Sequence, residues 1–295
     1  MNNTDYTILD KAQLSENVYR MQVHAPFVAR RRQPGQFVLI SVDGEYGERI
    51  PLTIADVDVE KGAITLIFQK VGYTTRKLSE LAVGKRLAAV LGPLGKPTRI
   101  EKVGTVVCVG GGIGVAPMHP IAKAFKALGN KVICIIGARS KELLILEKEL
   151  RSFADELIIC TDDGSAGLKA LVTQPLKELC EREDKPDLAL AIGPPIMMKF
   201  CVETVRPTGV PIQVSLNTIM LDGTGMCGGC RVQVGGETKF VCVDGPEFDG
   251  LKVDFDGMMK RLQTYRAQER RMAECQNEQG CNMLKQAAAV EAMQK

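Results

Sequence analysis

The stretch Gly104-Thr-Val-Val-Cys-Val-Gly110, running straight into Gly111-Gly-Ile-Gly-Val-Ala-Pro117, leaves this chain few folds to choose from. It reads as a buried apolar strand, a glycine loop and a helix over roughly Met118 to Leu128. The same rhythm continues with the strand Val132–Ile136, a helix near Leu143 to Ser152 and the strand Leu157–Cys160. A helix near Leu168 to Arg182 and the strand Asp187–Ile192 follow. Alternating strands and helices predict a doubly wound parallel sheet, here over residues 99–214. Ligands of such sheets bind at the carboxyl ends of the strands. The informative loops are therefore Gly110–Pro117, Gly137–Ser140, Thr161–Ser165 and Gly193–Met198.

The glycine loop is G-x-G-x-x-P, from Gly112 through Gly114 to Pro117, rather than G-x-G-x-x-G. Gly112 and Gly114 let a pyrophosphate approach the backbone, and a proline suits the first helical turn. His119 is expected in that turn, in a packing or capping role. An acidic residue that would hold a ribose hydroxyl about 20 residues onward is absent from the strand tip Gly137-Ala-Arg-Ser140. Arg139 fits either a 2′-phosphate or a solvated charge, so the choice of dinucleotide stays open on these residues.

Residues 1–98 read differently. The runs Phe37–Val42, Ala63–Phe68 and Arg86–Leu91 are short and apolar or alternating, punctuated by Pro34-Gly35, Asp43-Gly44, Lys61-Gly62 and Gly92-Pro93. Short strands with regular turn signals predict an antiparallel barrel or sandwich. Arg30-Arg31-Arg32 reads as a solvated turn. Arg49-Ile-Pro-Leu-Thr53, expected just before a strand, and Gly72-Tyr-Thr-Thr-Arg76, at an expected helix start, carry cations and hydroxyls suited to phosphate.

The segment Asp222–Cys242 holds a C-x2-C step, Cys227 and Cys230, with Cys242 further on and Asp222 five positions before Cys227. Gly223, Gly225, Gly228 and Gly229 let the backbone wrap closely around a bulky group. A tetrahedral zinc, a [2Fe–2S] cluster or free thiols all fit this spacing. Cys108, Cys134 and Cys160 lie in apolar strands as core filling, Cys180 and Cys201 show no local pattern, and Cys275 and Cys281 read as free thiols in a polar tail.

Composition excludes several classes. A net charge of +3 is too small to imply nucleic acid, and two histidines leave little for histidine-rich metal sites. The sequence lacks an apolar run of about 20 residues, so no membrane span is expected, and its first residues do not pattern as a signal peptide. Ten cysteines without a secretion signal point to reduced thiols in the cytoplasm.

Taken in order, R-x-P-L-T, G-G-G-I-G-V-A-P, T-D-D-G and G-P-P-I-M-M resemble the ferredoxin–NADP reductase superfamily. The family's R-x-Y-S/T appears one residue longer, and Ile192 stands where its C-G-P-x-x-M has cysteine. The resemblance implies FAD in a barrel of residues 1–98, on Arg49, Pro51, Leu52, Thr53, Ile67, Phe68, Gln69, Gly72, Thr74 and Thr75. It implies NAD(H) in the α/β domain, on Gly111, Gly112, Ile113, Gly114, Ala116, Pro117, Ala138, Arg139, Asp162, Asp163, Gly193, Pro194, Pro195 and Met197. The cysteine segment resembles two kinds of electron-transfer subunit. One serves dihydroorotate dehydrogenase. The other is the small subunit of NADH-dependent reduced ferredoxin:NADP oxidoreductase, also called a sulfide dehydrogenase subunit, and its first cluster ligand is an aspartate. Asp222 and the segment Val253–Arg266 match the second. This implies a [2Fe–2S] cluster on Asp222, Cys227, Cys230 and Cys242 within residues 215–250, and a larger flavin and iron–sulfur partner forming a heterodimer. A centre with one-electron chemistry has a task beside flavin and nicotinamide; a zinc does not. In residues 251–295, Phe255, Met258, Met259, Leu262 and Tyr265 fall at helical spacing, predicting a helix packed on its own domain.

Overall fold

The computed structural model describes residues 5–44 and 47–277, with backbone alone for 272–277. The first half comprises β1 (Ile8–Ser15), β2 (Val18–His24), α1 (Pro26–Arg31), β3 (Phe37–Ser41), β4 (Arg49–Asp58), β5 (Ala63–Gln69), α2 (Tyr73–Glu80) and β6 (Ala89–Leu94). Its strands form one antiparallel sheet in the order β1-β2-β5-β4-β3-β6. The outer strands meet through Ile8 N–H to Lys85 O at 2.8 Å and Leu87 N–H to Tyr6 O at 3.0 Å, which closes the expected barrel. Ile8, Met21, Val38, Ile40, Ile54, Ile64, Leu66 and Phe68 fill it. β3 is apolar at four consecutive positions because both its faces are covered. Val38 and Ile40 point into the barrel, while Phe37 and Leu39 join the core of the other half.

The second half runs β7 (Thr105–Gly111), α3 (Val115–Ala127), β8 (Lys131–Ala138), α4 (Glu147–Arg151), β9 (Glu156–Thr161), α5 (Thr173–Cys180), β10 (Leu188–Ile192), α6 (Pro195–Val205) and β11 (Ile212–Ser215). It continues through β12 (Arg231–Val234), β13 (Glu237–Phe240), α7 (Val241–Asp244), β14 (Glu247–Asp249), α8 (Phe255–Leu262) and α9 (Arg266–Asn277). Strands β9-β8-β7-β10-β11 are parallel, and β14 adds an antiparallel edge beside β11. Val106 and Cys108 of β7 face α3 and Leu150 of α4, whereas Val107 and Val109 face α5 and α6. Helices thus cover both faces, as a doubly wound sheet requires. The chain order reverses between β7 and β10, and the crevice at that switch point is where such sheets take ligands.

Several local expectations need correction. Arg49–Thr53 lies within β4, paired with β3, rather than before a strand. The helix after the glycine loop begins at Val115, which puts His119 in its second turn, buried and edge-on to Phe153 at 5.7 Å. The helix expected from Leu143 starts at Glu147, because Leu146 takes a left-handed φ of 57°. The helix expected from Leu168 starts at Thr173, since Leu168 instead bridges Cys160 of β9. Arg30 and Arg31 end α1, and Arg31 stacks on Phe27 at 4.6 Å. Arg32 donates to Ile54 O at 3.1 Å. Cys108, Cys134 and Cys160 are core residues as expected, and Cys180 and Cys201 are buried on α5 and α6. Burial pushes the Cys134 and Cys201 thiols up to about 12. Cys281 lies outside the described residues, as does the side chain of Cys275.

Glu247 ties three regions together. Its carboxylate accepts from Thr98 Oγ1 at 3.0 Å, in the linker after the barrel, and from Ser215 Oγ at 3.2 Å, at the end of β11. Burial pushes this carboxyl up to about 7, against the two hydroxyl hydrogen bonds. The native state therefore keeps a proton that the unfolded chain loses above its ordinary value of 4.5. Stability from this group is present in full below pH 4.5 and is lost as pH rises through 7, by on the order of 3 kcal/mol. Between pH 5 and 8 the wild-type Tm should fall by about 5 °C. Glu247→Gln should flatten that dependence; an equally steep curve in the variant would assign it to another group.

Candidate functional site

One cleft of about 1000 Å³ opens between barrel and sheet. Its barrel wall is Pro51, Leu52 and Thr53 of β4, Ile67, Phe68 and Gln69 of β5, and Thr75 at the start of α2. Its sheet wall is Gly111 at the end of β7 with Gly112, Ile113, Gly114 and Pro117 beyond it, Ala138 at the end of β8 with Arg139, and Asp162 after β9. Gly193, Pro194, Pro195 and Met197 complete it after β10. These loops gather because parallel strands end on one edge of the sheet. At the switch point they touch: a Cβ on Gly114 would lie 2.3 Å from Ile192 O, and one on Gly111 would lie 2.2 Å from Met197 Sδ.

Five expected residues stand off the cleft wall. Arg49 opens β4 opposite Ser41, on the exposed surface. Thr74 is buried and gives its hydroxyl to Glu48. Gly72 caps α2, where Thr75 Oγ1 accepts its N–H at 2.9 Å. Ala116 faces the core under α3. Asp163 turns back on its own loop, accepting from Ser165 N at 2.9 Å and Ser165 Oγ at 2.6 Å; those bonds hold its carboxyl below the usual range.

Sequence reading missed Ser15, Ser215, Leu216, Asn217, Thr218, Met220 and Pro246, which also line the cleft. The residues from Ser215 to Met220 follow the carboxyl end of β11, so the rule that flagged the other loops would have found them had β11 been recognised. Ser15 Oγ and Thr218 Oγ1 are buried and have no hydrogen-bond partner. Buried hydroxyls are ordinarily satisfied, so two orphans among the residues lining the cleft fit a polar ligand there. The cradle at Gly111 and Gly114, with the N-terminus of the 13-residue α3 beside it, fits a phosphate group.

The thiol-bearing loop borders the same cleft through Met220 and packs on the barrel. A Cβ on Gly223 would lie 2.8 Å from Leu39 Cδ1 and Leu94 Cδ1. Cys230 Sγ and Cys242 Sγ are buried 3.2 Å apart, and burial with the Cys230 contact pushes the Cys242 thiol up to about 12. Cys227 is exposed at the loop tip. The Asp222 carboxylate accepts from Thr224 N at 2.7 Å and Cys227 N at 2.6 Å, and these backbone bonds lower its pKa. It thus orders the turn that carries Cys227. Among the described residues no three donors close on a single metal position. The donor chemistry, three thiols and a carboxylate on one glycine-rich loop, nonetheless fits a small iron–sulfur cluster.

A closed barrel, a doubly wound sheet and a thiol-bearing loop around one cleft define a reductase-type oxidoreductase fitted with an iron–sulfur domain. Residues 108–203 match the oxidoreductase NAD-binding domain, and residues 217–254 match the iron–sulfur cluster binding domain of dihydroorotate dehydrogenase B. The chain is 50% identical over 263 residues to a dihydroorotate dehydrogenase B (NAD(+)) electron transfer subunit homolog of Thermotoga maritima, covering 89% of this chain and 92% of that one. It is 34% identical over 260 residues to the corresponding subunit of Fusobacterium nucleatum, covering 85% and 98%. It also superposes with a TM-score of 0.87 and 48% identity on a chain from the structure of an NADH-dependent reduced ferredoxin–NADP oxidoreductase, solved for insight into flavin-based electron bifurcation; 93% of this chain and 99% of that chain are covered. The chain belongs to the family of dihydroorotate dehydrogenase B electron transfer subunits and their homologues.

Proposed function

We propose that this chain is the electron-transfer subunit of a ferredoxin:NADP oxidoreductase-type complex. In this reading it exchanges hydride between NAD(H) and FAD, and passes single electrons through a [2Fe–2S] cluster to a larger flavin and iron–sulfur subunit. The two form a cytoplasmic heterodimer, without nucleic acid or membrane. Residues 1–98 act as the flavin barrel, 99–214 as the nucleotide domain, 215–250 as the cluster segment and 251–295 as a helical extension. The observation that carries the reading is that the barrel strands, the glycine loop and the residues flanking the cysteine segment, Ser215–Thr218, Met220 and Pro246, all line one cleft. No described helix is long and apolar enough to cross a membrane.

A flavin, when bound, supplies the exchange between two-electron hydride and single electrons. The residues of this chain bind and orient. Thr53, Gln69 and Thr75 offer polar groups on the barrel wall, and Ser15 and Thr218 offer the orphan hydroxyls. Gly111, Gly112 and Gly114 admit the dinucleotide phosphates. Pro194, Pro195 and Met197 cover the apolar side together with Ile192, which stands where the reductase motif has cysteine. Asp222, Cys227, Cys230 and Cys242 are the ligand set. No side chain is assigned a proton-shuttling role.

Anaerobic purification with metal and flavin analysis tests this directly. The expected result is two irons and one flavin per chain, with a cluster EPR signal on reduction and a larger iron–sulfur subunit copurifying. A preparation with neither iron nor flavin would overturn it. The match over residues 217–254 also favours a second reading, the electron-transfer subunit of dihydroorotate dehydrogenase. A copurifying dihydroorotate-oxidising barrel enzyme, in place of the iron–sulfur subunit, would select it.

A further inference from the structure

The peptide groups between Cys227 and Cys230 are held from outside by two cations. Arg231 Nη1 donates to Gly228 O at 3.0 Å. That carbonyl shares its peptide group with the N–H of Gly229, which donates to Cys227 Sγ at 3.4 Å. One guanidinium, one peptide and one sulfur therefore lie in line. Arg261 Nη2 donates to Gly229 O at 3.1 Å, on the peptide group that ends in Cys230. Arg261 is on α8, which begins at Phe255, immediately after the matched iron–sulfur domain ends at residue 254. Its position is fixed by packing: Phe255 and Met258 are buried in the core that holds Cys230 and Cys242, and Asp254 caps the helix through Gly257 N at 2.9 Å.

We propose that Arg231 and Arg261 are positioning residues for the two-iron centre, polarising the Gly228–Gly229 and Gly229–Cys230 peptide groups so that the reduced cluster is stabilised. The inference rests on the cluster assignment above. Hydrogen bonds in a chain strengthen one another, and a cation at the carbonyl end makes the N–H at the other end a better donor. Hydrogen bonds to cluster sulfurs and nearby charge set the reduction potential. Reduction adds one negative charge to the centre, so both effects raise the potential. Helix α8 is then a working part of the redox site, beyond a covering for its own domain.

The test uses the full complex, reduced stepwise under EPR with iron content measured alongside. Arg231→Gln and Arg261→Gln should each shift the one-electron equilibrium toward the oxidised form by about three- to tenfold, tenfold being about 59 mV for a one-electron centre. Arg231→Lys and Arg261→Lys keep the charge and should stay near the wild-type potential. Iron-loaded glutamine variants with an unchanged potential would overturn the proposal, as would lysine and glutamine variants that shift equally. If glutamine variants lose iron, lysine variants that keep both iron and potential support it; loss of iron from both overturns it, because a role that charge cannot rescue is structural. A wild-type complex without iron would instead defeat the cluster assignment.

Discussion

Cys230→Ser should leave the protein with its flavin and without its cluster. Cys230 is 1% exposed, its sulfur touches that of Cys242, and its side chain sits in the core formed by β10, β11 and α6. A serine oxygen is a harder and shorter ligand, and that core does not shift to bring it closer. Changes in the outer shell of metal sites alone cost about 10–100-fold in affinity or activity. Removing a buried ligand should cost more, so electron delivery to the partner should fall at least about 100-fold. NADH oxidation by a two-electron dye at the flavin should persist within a few-fold, since no cleft residue has been altered. Iron analysis and EPR measure the first effect, and steady-state dye reduction measures the second. A Cys230→Ser protein with full iron would remove Cys230 from the ligand set. Asp222 is separable by Asp222→Asn, which removes the charge and keeps an oxygen for only one of the two N–H donors, Thr224 N and Cys227 N. An unaltered EPR signal in that variant would leave Asp222 as a turn residue.

Gly114→Ala should weaken nucleotide binding at least about tenfold, whereas Gly112→Ala should weaken it less. The two glycines serve different needs. Gly112 has a left-handed φ of 54° and open space around it, so an added methyl strains only the backbone, by about 1 kcal/mol. Gly114 has an ordinary helical φ of −62°, but its Cβ would meet Ile192 O at 2.3 Å and Gly193 Cα at 2.7 Å. Those atoms are backbone and cannot rotate away. The loops after β7 and β10 must separate, at a cost of about 1–3 kcal/mol in stability, and the cleft floor moves with them. The expected readout is at least a tenfold rise in KM for NADH with Gly114→Ala, and about fivefold or less with Gly112→Ala. Equal effects from both would assign Gly114 a conformational role as well.

The parts of this molecule legible in the sequence are those written in continuous runs. β7, β8, β9 and β10 are buried on both faces and read as unbroken apolar stretches, so the parallel sheet and its loops emerged together. The spacing of Phe255, Met258 and Met259 predicted α8 for the same reason. β12 and β13 escaped because four-residue strands joined through Gly235-Gly236, which read simply as more loop, carry too short a pattern. β14 escaped because its three residues become a strand only by pairing with β11. Glu247 and Thr218 are matters of tertiary placement, a carboxylate and a hydroxyl brought to a junction by segments far apart in sequence. The off-wall positions of Thr74 and Asp163 follow from local hydrogen bonds to Glu48 and Ser165 that outcompete a role in the cleft.

The antiparallel strand β14 has an implication for how such subunits can be built or rebuilt. It lies after Cys242, yet it supplies the outer hydrogen bonds of β11, which belongs to the nucleotide sheet. A chain cut after residue 215 would keep the parallel strands but present β11 as a bare border, the kind that sticky assemblies grow from. The redox loop is consequently not a cassette. Transplanting it onto another reductase, or trimming it to make a minimal diaphorase, would have to carry this short ribbon along or cap the border it leaves behind.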